Sequence, residues 1–168
     1  MESDDEEETA SKDQPGVIDA ENVGKDDRRR HELSQLQDSL SELTQSEKLF
    51  MSVREREKGN ECFKAGETEE AIHFYSRSIL LDESNAKSYS NRAAAFIRQQ
   101  NFQSAIDDCT KALEIDPTFL KALARRAMCY DKAEQYEDAI ADFEACQSMD
   151  SSGGYDRLLQ KSKEKLEE

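Results

Sequence analysis

Three stretches of this chain repeat one another at an interval of 34 residues. Ala71–Ile72 returns as Ala105–Ile106 and as Ala139–Ile140, and Asp82 returns as Asp116 and Asp150. A small residue stands at Gly59, Ala93 and Ala127, and larger or sulfur-bearing side chains fill Tyr75, Cys109 and Phe143, and Cys62, Phe96 and Tyr130. A fixed period of this size marks stacked supersecondary units, each burying its apolar face on the next, and not one globular core.

The middle unit shows what each copy is. Tyr89, Ala93 and Phe96 keep a helical stride, and Ala105, Cys109, Ala112 and Leu113 keep another after a turn at Gln100–Asn101. Pro117 then stops one helix and suits the first turn of the next. The chain is therefore expected to be all-α, with three helix pairs in units 52–85, 86–119 and 120–153, together covering 52–153. Their helices are predicted at 52–65, 68–81, 86–99, 102–115, 120–133 and 136–149. Small residues at 59, 93 and 127, and at 71, 105 and 139, let paired helices approach closely. After Gly153–Gly154, residues 154–168 are expected to form a capping helix, with Tyr155, Leu158, Leu159 and Leu166 covering the last unit.

Ahead of the array, Leu33, Leu36, Leu40 and Leu43 predict an amphipathic helix over 31–50, docked on the first unit or used to bind or dimerise with a partner. Residues 1–30 are expected to be an acidic disordered tail. Eleven acidic residues fall within 1–27 against Lys12 and Lys25 alone, with almost no large apolar side chains to offset the entropy of ordering.

Composition removes several functions. A net charge of −15 disfavours non-specific nucleic-acid binding, and no aromatic–basic strip suggests an RNA platform. No apolar run approaches a bilayer span, and acidic residues from Glu2 onward exclude a signal peptide or presequence, so no membrane partner and a cytoplasmic location are expected. Cys62, Cys109, Cys129 and Cys146 form no CxxC pair and no metal spacing with the two histidines, so they are expected to be reduced core residues, with no metal and no cofactor. There is no Gly-rich phosphate loop, HExxH or GxSxG. Asp107 and Asp108 are adjacent and cannot share a helix face, and His31 and His73 stand alone, so the chain is not expected to be an enzyme.

Polar residues on the predicted first helices remain unexplained by packing. Arg56 and Asn60 lie one turn apart, as do Lys121 and Arg125, and Asn91 is the repeat equivalent of Arg125. Period, small-residue positions and the Pro117 stop together resemble the tetratricopeptide repeat family over 52–153. The resemblance implies a right-handed superhelix of three tandem helix hairpins with a C-terminal capping helix, the first helices lining a concave groove. It also implies that these five residues face that groove, where they match the carboxylate-clamp subclass, whose members bind the Glu-Glu-Val-Asp tails of heat-shock proteins 70 and 90. Glu57-Lys58-Gly59-Asn60 and Ser90-Asn91-Arg92 carry the match, and Arg56 stands where lysine is more usual. Arg98 matches a further peptide-contacting cation, and Ala94 and Ile97 would offer an apolar patch to the tail's valine. Arg92 and Arg126 are expected to be structural or solvated.

The function so implied is that of a chaperone adaptor or co-chaperone. Its groove would hold a heat-shock protein 70 or 90 tail while the leader, the Leu33–Leu43 helix or the last helix recruits a second, unidentified client. The alternative is a scaffold that binds a folded client by its convex or edge surface. The acidic run Asp4–Glu8 is further expected to compete weakly for the cationic groove.

Overall fold

The computed structural model describes residues 20–167. Among them the chain forms eight α-helices and no strand: α1 Ala20–Ser39, α2 Gln45–Ala65, α3 Thr68–Leu81, α4 Ala86–Arg98, α5 Phe102–Ile115, α6 Leu120–Lys132, α7 Tyr136–Met149 and α8 Asp156–Glu167. Helices α2/α3, α4/α5 and α6/α7 are the three hairpins, and α8 lies against α7.

The repeat is visible in the turns. Gly66, Gln100 and Glu134, spaced by the interval, all carry a positive φ and close the first helix of each pair. Glycine adopts this left-handed conformation freely; glutamine and glutamate do so at a cost. Asn101 caps α5 by accepting from the Ser104 N–H, and Asn85 caps α4 in the same way through Ser88. The recurrent aspartates close the second turn: Asp82, Asp116 and Asp150 accept from the backbone N–H of Ser84, Thr118 and Ser152.

The core is a row of small clusters between neighbouring helices. Ala71, Tyr75 and Ala95 form one; Ala93, Ala105, Ile106, Cys109 and Cys129 a second; Ile79, Tyr89, Ala112 and Ala122 a third; and Ala127, Ala139, Phe143 and Leu159 the last. Fully buried Ser52, Ser78 and Ser88 join α2, α3 and α4 by hydroxyl bonds of 2.7–3.0 Å. Burial pushes the Cys109 thiol up to about 12 and those of Cys129 and Cys146 up to about 11, so they stay neutral.

Two arginines rivet the array. Arg92 grips Asp108 through two bonds of 2.8 Å and reaches back to Ser76 of the preceding hairpin. Arg126 repeats this with Asp142 and Thr110. Lys58 holds the equivalent place in the first hairpin, where it pairs with Glu55 and sits 5.6 Å over the Phe74 ring.

The leader differs from expectation. Residues 31–50 are not one helix: α1 runs to Ser39, a 3₁₀ turn covers Leu40–Glu42, and the chain restarts as α2 after Thr44. The break is set by a capping box, in which Thr44 accepts from Glu47 N–H and the Glu47 carboxylate accepts from Thr44 N–H. Residues 20–30, assigned to the disordered tail, are helical. Helix α1 is seated by both charge and apolar burial: Arg29 pairs with Glu69 and Glu70, Glu32 meets His73 and Arg77 on α3, and Leu36 is buried. His73 is buried beneath this contact. The remainder of the acidic tail, with Asp4–Glu8, lies outside the described residues. In the cap, Leu159 is buried and Tyr155 half-buried, but Leu158 and Leu166 point to solvent; Ser162 and Lys165 dock α8 by bonding Asp131.

Candidate functional site

The first helices α2, α4 and α6 stand side by side, so residues one turn apart on each form a common surface. Asn60, Lys64 and Phe63 of α2, Asn91 and Ala94 of α4, and Lys121 and Arg125 of α6 line one hollow of about 280 Å³, with Tyr75 of α3 at its floor. Sequence reasoning placed Asn60, Asn91, Ala94, Lys121 and Arg125 in one groove, and the structure brings these five together.

The amides are oriented by the fold. Asn60 Oδ1 accepts from Tyr75 O–H and from Asn91 Nδ2, both at 2.9 Å. With its oxygen doubly engaged, Asn60 leaves its Nδ2 hydrogens without an acceptor among the described residues, available as donors. Burial pushes the Tyr75 phenol up to about 12, so it remains a donor. Tyr75 takes this position because Gly59 has no side chain: a Cβ there would lie 2.6 Å from the ring.

Arg125 is the electrostatic centre. Its Nη1 donates to Ser90 carbonyl and hydroxyl at 2.8 and 2.7 Å. Burial lowers its pKa, and no carboxylate is among the groups that oppose the shift. Arg126, the next residue, has its pKa raised by its bond to Asp142. The one guanidinium is matched; the other is half-hidden with two neutral acceptors. Lys121 and Lys64 also lack an ion-pair partner among the described residues and are exposed at the rim.

Three expected site residues sit elsewhere. Arg56, one turn before Asn60, lines a neighbouring hollow, and its Nε is buried without a partner. Arg98 lies 3.6 Å over the Phe63 ring and donates to the Phe63 carbonyl at 2.6 Å, roofing the side chain that forms one wall. Ile97 packs half-buried against the Ala93–Cys129 cluster and does not line the hollow. Lys64, Phe63 and Tyr75 were not singled out from sequence. Lys64 had a signal, being the repeat equivalent of Arg98; with Lys132 they place a cation in the last turn of all three first helices.

Among the described residues there is no group of acidic, histidine or cysteine side chains able to hold a metal, and no helix long and apolar enough to cross a membrane.

Comparison with known proteins agrees with this geometry. Tetratricopeptide repeat models match residues 86–119 and 109–141, and a TPR repeat model matches 59–100. Human sperm-associated antigen 1 is 49% identical over 75 residues, which are 45% of this chain but only 8% of that protein. The solved first TPR of Spaghetti (RPAP3), bound to the HSP90 peptide SRMEEVD, superposes with a TM-score of 0.70 at 28% identity, covering 71% of this chain and 96% of that one. The second TPR domain of human RPAP3, in complex with the HSP70 peptide SGPTIEEVD, gives 0.65 at 33% identity, covering 68% and 96%. The hairpins and cap of this chain follow the superhelical path of these neighbours.

Proposed function

Because this chain belongs to the tetratricopeptide repeat family, we propose that it is a chaperone adaptor whose hollow between α2, α4 and α6 grips the free, acidic C-terminal end of a heat-shock protein 70 or 90 tail. The observation that carries the reading is Arg125: a guanidinium substantially buried with no carboxylate opposite, beside a neighbour of the same type that has one. A buried unmatched charge is costly, and an incoming carboxylate removes that cost. Lys121 adds charge from the same helix, and the Asn60 and Asn91 amides add donors without charge. Charge-assisted bonds contribute roughly 1.5–3 kcal/mol each, so a few suffice for the roughly −8 kcal/mol of a micromolar complex. Arg56 reaches the tail's end from the adjoining hollow, while Arg98 and Ala94 flank the residues before it. The two RPAP3 domains, with peptides ending in EEVD, support the choice of ligand.

The chain acts in this reading as a binding module and not as a catalyst, in the cytoplasm, and it joins the chaperone to a second client. Calorimetric titration with SRMEEVD and SGPTIEEVD tests it. Both should bind, their C-terminal amides at least tenfold more weakly, and Lys121→Ala or Arg125→Ala should remove binding while circular dichroism stays unchanged. Strong binding that survives amidation and both substitutions would instead identify a scaffold that uses another surface.

A further inference from the structure

Charge sets one hollow of the surface apart. The chain has a net charge of −15, and four other hollows each carry carboxylates, Glu69, Asp107, Glu67 and Asp82 among them. The hollow between α2, α4 and α6 has no acid among its lining residues. It holds Lys64, Lys121 and Arg125, which have no ion-pair partner among the described residues. At its floor, burial raises the Tyr75 phenol, and the groups that oppose burial are the guanidiniums of Arg125, Arg56 and Arg98. Positive charge from three helices thus converges where no carboxylate in the wall offsets it.

The chain carries a segment of the opposite sign, and the fold delivers it to this place. Asp4 to Glu8 are five consecutive acidic residues ahead of α1, which begins at Ala20. Near that end of α1, Lys25 and Arg29 stand with Gly66 and Gln99 around one hollow. Gly66 and Gln99 follow the last turns of α2 and α4, where Lys64 and Arg98 sit. Helix α1 therefore starts beside the rim of the groove. Arg29 occupies Glu69 and Glu70, and Lys25 shares its hollow with Glu67, so the acids of this edge have cations of their own. Glu8 is twelve positions before Ala20, a span of roughly 40 Å when extended, whereas a first helix of 13 residues is only about 20 Å long. Chain length lets the acidic run reach from the rim to Lys121.

Resting on the reading of this hollow as a carboxylate site, we propose that Asp4–Glu8 dock in it from within the same molecule and hold it against weak ligands. Side-chain carboxylates of the run take the donors of Lys121, Arg125 and Asn60. The run has no terminal carboxylate, so it makes fewer of these bonds than a chaperone tail and yields to one. Its tether makes up part of the difference, since a linked ligand acts at an effective concentration of order millimolar. The contact sets a threshold of affinity: a free acidic end displaces the run, and an internal acidic segment of another protein does not.

The full chain is compared, with no peptide present, to a full-length variant carrying Asp4→Asn, Asp5→Asn, Glu6→Gln, Glu7→Gln and Glu8→Gln. The side-chain amide NMR signals of Asn60 and Asn91 should differ between the two, independently of protein concentration, and high salt should move the native signals toward those of the variant. An acetylated, amidated peptide of residues 2–9, added to the variant at millimolar concentration, should return the signals to their native positions and saturate. Arg125→Ala should abolish that response. SRMEEVD should bind the variant at least threefold more tightly than the native chain at low salt. Identical amide signals in the two chains, a free peptide that leaves them unmoved, or equal measurable SRMEEVD affinities would overturn the proposal. So would signals that move with protein concentration, which would place the segment of a second copy in the hollow. Amide shifts as expected with no SRMEEVD binding to either chain would remove the chaperone reading alone and keep the intramolecular contact; SRMEEVD binding with identical amide signals would do the reverse.

Discussion

Asn60 presents its donors because two other residues leave it no alternative. Tyr75 and Asn91 take its oxygen, and Gly59 makes room for the tyrosine. Gly59→Ala puts a Cβ 2.6 Å from ring carbons, and the ring is packed on all sides, so the variant should lose about 1–3 kcal/mol in urea unfolding. At the equivalent places Ala93 packs in one cluster with Cys109 and Ala127 in one with Phe143, so the clash at position 59 comes from how closely this ring approaches the Gly59 backbone. Tyr75→Phe keeps the packing and deletes one donor; SRMEEVD affinity should fall by roughly three- to tenfold, about 1 kcal/mol, with helicity unchanged. That Asn60, Asn91, Ala94, Lys121 and Arg125 share one hollow was legible in the sequence, since the helical stride and the repeat interval together fix which side chains share a face. Tyr75 was not, because its hydroxyl reaches Asn60 from the second helix of the pair, across a gap that only the missing side chain at Gly59 opens.

At the level of the element, α8 shows how little apolar surface a cap needs when a charged latch assists it. Leu159 and Tyr155 supply the burial, and Asp131 of α6 receives Ser162 and Lys165. Burial alone would raise the Asp131 pKa, but the bonds from Lys165 and Ser162 outweigh it and the value lies below normal; the Lys165 value is raised by its bond to Asp131. A lowered carboxylate stabilises the fold above its ordinary pKa and loses that effect as pH falls through the folded value. A raised lysine does the reverse on the alkaline side. The cap should accordingly hold best between these limits, and on acidification the Leu159 methyl signals should reach random-coil positions before those of core residues such as Ile106. Asp131→Asn should remove that early acid step. The boundaries of the repeat helices followed from periodicity except the start of the first, expected at 52 and found at Gln45, and the leader did not. The Thr44-to-Glu47 capping box was present to be read and ends the run of leucines; Leu33 and Leu36 marked the face that α1 turns to the first unit, while the ion pairs of Arg29 and Glu32 with α3 have no counterpart in apolar spacing.

Considered as a whole, the molecule is a linear stack in which each hairpin touches chiefly its neighbours, so damage should stay local. Asp142→Ala strands the Arg126 guanidinium that ties α6 to α7 and reaches α5, a loss of about 3 kcal/mol for a largely buried pair. Native-state hydrogen exchange should then show α6 and α7 opening while α3 keeps its protection; uniform loss along the chain would mean tighter coupling than a stack allows. The interval of 34 residues made this architecture readable at once, because translation by one unit carries every buried position onto another. The same translation sets Lys64, Arg98 and Lys132 along one rim of the concave side. An acidic strand diffusing toward that rim meets an attractive field well before it touches an amide, even though the chain as a whole is strongly anionic. Ionic strength should therefore govern how often a tail is captured, and the enclosed donors how long it stays.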